Sequence, residues 1–227
     1  MRQHHIQLDS LTTISKHIQD YSPHPNQVNI VAVTKKFNHT AILSALSHRI
    51  TCIGENQVQE FLTKSPHLLN YQFESHLIGH LQSNKINHAI DLFDVIETVD
   101  STALAHKLNK KAQQKEQTQK IYIQINIGSD PQKYGFDTKL LFSKVEKITK
   151  LKNLSLIGVM TILPFLEQAQ DTQKLYSQTR KIYTKIKQDI TPTCVCLSMG
   201  MTRDYIYALQ EGATHIRLGT KLYGPRD

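Results

Sequence analysis

Reactive and polar residues follow the ends of short apolar runs throughout this 227-residue chain. A lysine amine attacks carbonyl groups when it is unprotonated, and burial near other cations favours that form. Glycine lets backbone N–H groups approach an anion closely. The residues that end the runs are Lys35 and Lys36, Glu55 and Asn56, Gly79 and His80, Asp100 and Ser101, Asn126, Met160 and Thr161, Ser198, Met199 and Gly200, and Arg217, Leu218, Gly219 and Thr220. The residue types therefore point to two kinds of chemistry, reaction of a lysine amine with a carbonyl group and binding of an anion, and the fold must bring these residues together.

The last two runs carry a pattern typical of phosphate binding, S-M-G-M after one and R-L-G-T at the end of the other. Single glycines at such places also make tight turns, but the paired set favours phosphate. A lysine opposite a phosphate site suggests pyridoxal phosphate held as a Schiff base, or an aldolase acting on a phosphorylated sugar. The aldolase would need acid–base carboxylates at the same place, and Glu55 and Asp100 are poor candidates.

The apolar runs alternate with longer amphipathic stretches, which predicts eight strand–helix units of about 25 residues each. The predicted strands cover residues 28–34, 50–54, 74–78, 94–99, 121–127, 155–160, 193–197 and 214–218. Helical patterns include residues 40–47, 58–63, 102–114, 139–150, 166–189 and 203–211. An extra N-terminal helix precedes Pro23 and Pro25. The sequence thus predicts an α/β fold, a single (β/α)8 TIM-type barrel over residues 1–227, with its chemistry at the C-terminal ends of the strands.

Side-chain alternation indicates which residues of two strands face the barrel interior. In the fifth strand every second residue from Ile121 is isoleucine, the face that outer helices would cover, so Tyr122 and Asn126 point inward. In the eighth strand His215 and Arg217 point inward. The first strand is apolar on both faces, so alternation does not choose between Lys35 and Lys36.

Composition restricts the remaining classes of protein. With 27 Lys+Arg against 19 Asp+Glu the net charge is +8. The lysines are spread over helix faces without an RNA-binding motif, which favours a solvated basic surface over a nucleic-acid-binding module. No apolar run would span a membrane and the first twenty residues do not form a secretion signal, so we expect a cytoplasmic protein without membrane or nucleic-acid partners. Cys52, Cys194 and Cys196 supply no metal-site or disulfide pattern.

Longer motifs in this sequence carry a family resemblance. In order they are V-A-V-T-K at 31–35, I-G-E-N-Q-V-Q-E at 53–60, H-L-I-G-H-L-Q-S-N-K at 76–85, N-I-G-S-D-P-Q-K-Y-G at 126–135, G-V-M-T at 158–161, L-S-M-G-M at 197–201 and I-R-L-G-T-K-L-Y-G-P-R-D at 216–227. The whole chain resembles the pyridoxal phosphate homeostasis protein family (YggS/PROSC type), relatives of the alanine racemase N-terminal barrel. The resemblance implies a fold-type III barrel that binds pyridoxal 5'-phosphate (PLP) and takes part in intracellular PLP homeostasis, without known turnover.

The resemblance also assigns roles to individual residues. It implies that Lys35, not Lys36, forms the Schiff base, and that Arg217 lies against the cofactor, where it could face the pyridine nitrogen. The implied phosphate cradle is Ser198 together with the backbone at Gly200, Gly219 and Thr220. Residues that match ring-lining positions are Asn56, His80, Asn126 and Met160, although His80 could equally be a core histidine. Two departures lie near the site: Lys36-Phe37-Asn38 replaces a segment that often contains proline, and Gln57 replaces tyrosine.

One enzymatic alternative shares this cofactor, a PLP-dependent amino-acid racemase of weak activity. Alanine racemases add a second domain whose tyrosine is the opposite-face base, and this sequence stops just after the eighth strand. We therefore expect a monomeric binding protein that is not an enzyme. The expected partners are the small molecule PLP and, in transient contacts, PLP enzymes that lack their cofactor.

Overall fold

Strands and helices alternate along residues 4–225, the part of the chain that the computed structural model describes. The strands are β1 (Asn29–Val33), β2 (Cys52–Glu55), β3 (Glu74–Leu77), β4 (Val95–Val99), β5 (Gln119–Ile125), β6 (Leu154–Thr161), β7 (Cys196–Ser198) and β8 (His215–Leu218). The helices are α1 (Leu8–Tyr21), α2 (His39–Ser47), α3 (Val58–Lys64), α4 (Ile86–Leu92), α5 (Thr102–Gln114), α6 (Leu141–Thr149), α7 (Ala169–Asp189), α8 (Tyr205–Gln210) and α9 (Thr220–Tyr223). Each strand is followed by a helix, as the sequence pattern predicts.

Neighbouring strands pair in parallel in chain order, and β8 pairs with β1 to close the barrel. In the closing pair, Asn29 lies opposite His215 and Ala32 lies opposite Leu218. The predicted (β/α)8 barrel is therefore confirmed.

Alternating residues separate the two faces of the barrel wall, as predicted. On β5, Ile121 and Ile123 are fully buried in the main core cluster. Tyr122 points the other way and packs with Val95 and Met160 in a separate interior cluster. The Tyr122 ring lies edge-on to that of His215, with 6.0 Å between the ring centroids. The barrel interior is therefore filled by aromatic and polar side chains, not by aliphatic ones alone.

The predicted N-terminal helix is present as α1 and packs against the last elements of the chain. Ile14 and Ile18 are buried, and His17 Nδ1 lies 2.6 Å from the Tyr205 hydroxyl of α8. The Gln7 N–H donates to the Leu222 carbonyl oxygen at 2.9 Å. No helix between residues 4 and 225 combines the length and the apolar character needed to cross a bilayer.

Several element boundaries differ from the prediction. The seventh strand begins at Cys196 rather than 193, although the Val195 N–H still donates to the Ile157 carbonyl oxygen at 2.9 Å. Helix α7 begins at Ala169 rather than 166, because residues 162–168 form an irregular segment around Pro164, which interrupts helical hydrogen bonding. Residues 162–168 matter for function, since they form part of the cavity described next.

Candidate functional site

A cavity of about 600 Å³ opens among the loops that follow the strands. Its wall contains five of the residues predicted from the sequence, namely Lys35, Asn56, Arg217, Gly219 and Thr220. Residues 162–168, with the exposed Phe165, form another side of it. The cavity thus lies at the end of the barrel where (β/α)8 proteins place their chemistry.

Lys35 and Lys36 both follow β1 but lie in different surroundings. Lys35 is half-buried and lines the cavity, whereas Lys36 is exposed and does not belong to the cavity wall. The backbone at Lys36 has a φ of 65°, in the left-handed region, and its N–H donates to Glu60 Oε1. The turn therefore presents the first lysine to the cavity and directs the second one outward.

A buried lysine, Lys64, stabilises the turn after β1 from the side of α3. Lys64 of α3 is only 4% exposed, and its Nζ donates to the Thr34 carbonyl oxygen at 2.9 Å. It also pairs with Glu55 Oε1 at 2.6 Å and Glu60 Oε1 at 2.8 Å. Burial raises the pKa of Glu55 although Lys64 opposes that shift. Sequence reasoning missed Lys64; the available signal was its four-residue spacing from Glu60, one helical turn.

Arg217 is almost fully buried, at 3% exposure, and still contributes to the cavity wall. One terminal nitrogen, Nη1, donates to Ser198 Oγ at 2.7 Å, and the other, Nη2, donates to the Thr161 carbonyl oxygen at 2.7 Å. Two bonds from different nitrogens fix the plane of the guanidinium group. The arginine is therefore held in place without help from a ligand.

The Ser198 side chain is not part of the cavity wall. Ser198 is fully buried, and its hydroxyl donates to Glu97 Oε2 at 2.6 Å while its oxygen accepts from Arg217. A hydroxyl has one proton to donate, and here Glu97 receives it. In this arrangement the hydroxyl supports the arginine. The assignment of Ser198 to the phosphate cradle stays a prediction.

These bonds continue along the barrel axis. Glu97 Oε1 lies 2.7 Å from His76 Nδ1, and His76 Nε2 lies 3.1 Å from Glu74 Oε2 at the opposite end of the barrel. We call Arg217, Ser198, Glu97 and His76 the axial chain. Its members beyond Arg217 and Ser198 were not predicted, although a glutamate inside the apolar run V-I-E-T-V was a visible signal.

The axial chain contains paired charges. Burial disfavours a charged His76, but hydrogen bonds with Cys52, Glu74 and Glu97 outweigh it and raise the pKa of His76 well above its usual value. Burial likewise opposes ionisation of Glu97, yet the hydrogen bond from His76 and the charges of His76 and Arg217 hold its pKa below the usual value. Near neutral pH, Glu97 is therefore an anion between two cations.

Gly219 and Thr220 lie at the cavity together with Thr202, a residue that the sequence analysis did not select. The Thr202 and Thr220 hydroxyl oxygens are 3.4 Å apart, and the Lys221 N–H points to Thr202 Oγ1 at 3.4 Å. Two hydroxyls therefore lie together at the cavity, with the Lys221 N–H holding Thr202 in place. Thr202 comes directly after the L-S-M-G-M motif, beyond the strand end, which is why strand-end reasoning passed over it.

Gly200 lies in a tight turn just before α8 and is not part of the cavity wall. Its φ is +92°, and an added Cβ would lie 2.6 Å from the Ala208 Cβ of α8. Its carbonyl oxygen accepts from the Arg217 N–H at 3.0 Å. The positive φ and the close neighbour require glycine at position 200, and Gly219 rather than Gly200 lines the cavity. A part for the Gly200 backbone in the phosphate cradle stays a prediction.

Three other predicted residues lie outside the cavity wall. Met160 is fully buried in the interior cluster with Tyr122. Asn126 organises the loop after β5, because its Nδ2 donates to the carbonyl oxygens of Asp130 at 2.7 Å and Lys133 at 3.1 Å. Asn126 therefore points into its own loop and not into the barrel mouth.

His80 is exposed, which excludes the alternative of a core histidine. Its ring stacks on Tyr134 at a centroid distance of 3.7 Å, and its Nδ1 lies 3.1 Å from Asp100 Oδ2. The buried histidines of the barrel are His76 and His215. A strand-end position alone does not show how deep a side chain lies.

Asn56 reaches the cavity because Gly79 makes room for it. A Cβ at Gly79 would lie 2.0 Å from the Asn56 carbonyl oxygen and 2.7 Å from its side-chain Cγ. The glycine of the I-G-H motif therefore permits the close contact between the ends of β2 and β3. Asn56 is thereby held at the cavity wall near Lys35.

The cysteines of the described chain are free thiols, two of them buried. One group of potential metal ligands occurs among residues 4–225: Cys52, Glu74 and His76, with donor atoms within 4.8 Å of one another. Glu74 is already paired with His76 and with Lys120 Nζ at 2.8 Å. We interpret this group as a network of ion pairs and hydrogen bonds.

The closed barrel and its cavity with lysine and arginine define a class of protein, the alanine racemase N-terminal barrels. The family model described as alanine racemase, N-terminal domain, matches residues 6–227. Among curated relatives, the pyridoxal phosphate homeostasis protein of Synechocystis sp. is 37% identical over 203 residues, covering 89% of this chain and 93% of the relative. The Homo sapiens protein of the same name is 35% identical over 215 residues, covering 88% and 78%. The chain belongs to the pyridoxal phosphate homeostasis protein family.

Solved structures agree with this membership. PipY of Synechococcus elongatus with PLP bound matches with a TM-score of 0.84 at 33% identity, covering 95% of this chain and 99% of that one. The alanine racemase of Clostridium difficile matches with a TM-score of 0.78 at 16% identity, covering 99% of this chain and 58% of that one. At that identity the second likeness concerns the fold alone.

Proposed function

We propose that this protein binds PLP in the cavity and serves intracellular PLP homeostasis. The observation that carries the proposal is the presence of Lys35, the Arg217 guanidinium and the Thr202–Thr220 hydroxyl pair in one cavity wall. The family name and the PLP-bound PipY structure support it. When bound, PLP supplies an aldehyde that reacts reversibly with amines and a phosphate dianion.

The residues present fit this ligand. Lys35 is the cavity lysine that would hold the aldehyde carbon as a Schiff base. Thr202, Thr220 and the backbone at Gly219 would receive the phosphate, since hydroxyl and N–H groups donate charge-assisted hydrogen bonds to an anion. Asn56 lies in the same wall and would orient the ring.

Arg217 makes the site better suited to holding the cofactor than to turnover. A guanidinium group keeps its proton at all ordinary pH values, so an adjacent pyridine nitrogen stays unprotonated. An unprotonated ring is a weaker electron sink than one paired with a carboxylate. We therefore propose a binding and supply role in place of amino-acid racemisation.

Four further expectations belong to this proposal. Residues 1–227 act as one domain, the protein is a monomer, and it works in the cytoplasm. It makes transient contacts with PLP enzymes that lack their cofactor. The exposed Phe165 at the cavity rim fits a site that solvent and free ligand can reach.

The absorption spectrum of protein incubated with PLP tests the proposal. We expect a visible band that borohydride removes, and peptide mapping should locate the reduced adduct on Lys35. Lys35→Ala should abolish the reducible band and Lys36→Ala, the matched control one residue away, should retain it. An adduct on Lys36, or a band that Lys35→Ala leaves intact, would contradict the assignment.

A further inference from the structure

Glu97 is fully buried on β4 and is connected to the cavity-wall Arg217 through the Ser198 hydroxyl. Both of its carboxylate oxygens accept hydrogen bonds, Oε2 from the Ser198 hydroxyl at 2.6 Å and Oε1 from His76 Nδ1 at 2.7 Å. A buried carboxylate with two charge-assisted bonds is strongly fixed in position. Nothing in the proposed binding role yet uses it.

The Ser198 hydroxyl transmits the position of Glu97 to Arg217. Since Glu97 accepts the single hydroxyl proton, the Ser198 oxygen presents lone pairs to the guanidinium, and Arg217 Nη1 donates there at 2.7 Å. The direction of all three bonds therefore depends on an acceptor at position 97. If Ser198 did not donate to Glu97, its hydroxyl proton would point toward the Arg217 guanidinium, which is a cation and accepts no hydrogen bond.

The charges around Glu97 fit the same role. Arg217 approaches from β8 and the His76 imidazolium from β3, while Glu74 lies beyond His76 and pairs with Lys120. His215 also faces this interior, and burial lowers its pKa to about 4, so it is neutral near pH 7. Glu97 is thus the carboxylate linked through a single side chain to the arginine of the cavity wall.

We propose that Glu97 is a positioning residue for the cofactor: through Ser198 it fixes the orientation and balances the charge of the Arg217 guanidinium that meets the PLP ring. This inference rests on the proposed function. In Glu97→Gln the amide offers one acceptor oxygen in place of two, so Ser198 and His76 cannot both keep their acceptor. The buried arginine also loses its nearest counter-charge.

The experiment compares wild type with Glu97→Gln, Ser198→Ala, the double variant and Glu97→Asp. PLP affinity, the visible absorption maximum and its pH dependence are measured, with thermal melting as a check on folding. We expect Glu97→Gln and Ser198→Ala each to weaken PLP binding about tenfold or more, because Arg217 loses the bonds that orient it and its own contact with the ligand weakens by the order of one hydrogen bond to a charged group. Both should shift the absorption maximum and its pH profile in the same direction, and Glu97→Asp should partly restore them.

Coupling between the two residues is the decisive result. Because they act in series, the double variant should be no weaker in PLP binding than the worse single variant. Glu74→Gln, the control at the far end, leaves the Arg217–Ser198–Glu97 bonds in place and should keep the wild-type spectrum.

Additive effects in the double variant would overturn the inference, as would a wild-type spectrum and affinity in both single variants. If Glu97→Gln does not fold, Ser198→Ala with wild-type binding and spectrum would still overturn it. Failure of the wild type itself to bind PLP would instead refute the proposed function, so the two failures are distinguishable.

Discussion

The phosphate group should supply most of the affinity for PLP, and comparison with pyridoxal measures its share. The two ligands carry the same aldehyde and ring, but pyridoxal lacks the dianion that Thr202 and Thr220 would receive. Lys35→Ala removes the covalent bond, so the non-covalent affinities can be compared directly. We expect Lys35→Ala to retain PLP and to bind pyridoxal much more weakly.

The expected ratio follows from the donors at that end of the cavity. The Thr202 and Thr220 hydroxyls lie 3.4 Å apart, so one phosphate group can contact both. A hydrogen bond to a charged group contributes about 1.5–3 kcal/mol, and two contribute about 3–6 kcal/mol. Since each 1.4 kcal/mol is a factor of about ten, PLP should bind about 10²- to 10⁴-fold more tightly than pyridoxal.

Equilibrium dialysis of both ligands against Lys35→Ala gives the ratio. In the same background, Thr202→Val and Thr220→Val should each weaken PLP binding about 10- to 150-fold while leaving pyridoxal unchanged. Thr172→Val serves as the matched control, because Thr172 lines the cavity from α7. Equal affinities for PLP and pyridoxal would refute the reasoning and leave these residues with a purely structural role.

Two further predictions concern pH and assembly. A hydrogen bond with His76, with a further one from Lys120, lowers the pKa of Glu74 from 4.5 to about 2, so its stabilisation is complete above pH 4.5 and is lost as the pH falls toward 2. Glu74→Gln should therefore lower the free energy of unfolding, measured in urea, by about 1 kcal/mol at pH 6 and by almost nothing at pH 2. This value allows for solvent screening of a side chain that is 34% exposed. An equal loss of stability at both pH values would contradict the ion pair. Light scattering should show a monomer. Assays for D-alanine and D-serine should show a racemase turnover below about 1 s⁻¹. A dimer, or faster racemisation, would contradict the hypothesis of a monomeric binding protein.

Sequence periodicity predicted the barrel and the cavity end because both follow from alternation of apolar runs, which is a local property. It also predicted that Arg217 points inward, since β8 has one polar and one apolar face. Depth along the barrel is not local, however. Ser198, Met160 and His80 all lie at or near strand ends, yet Ser198 and Met160 are fully buried, His80 is exposed, and none of them lines the cavity.

Two functional candidates escaped the sequence analysis for different reasons. Thr202 lies in a loop, where side-chain alternation says nothing about direction. Glu97 sits in the middle of β4, and its importance depends on Ser198, which is 101 residues away in sequence. Only the closed sheet brings these two strands face to face across the interior.

The pairing of β1 with β8 brings together cavity residues that are far apart in sequence. Lys35 follows β1, whereas Arg217 belongs to β8, Gly219 follows that strand and Thr220 begins α9. During synthesis the lysine therefore emerges from the ribosome long before its partners, and the site cannot assemble until β8 has been made. A ligand that contacts both Lys35 and the residues of β8 links β1 to β8. Cofactor binding therefore requires a closed barrel and stabilises it against opening between these two strands.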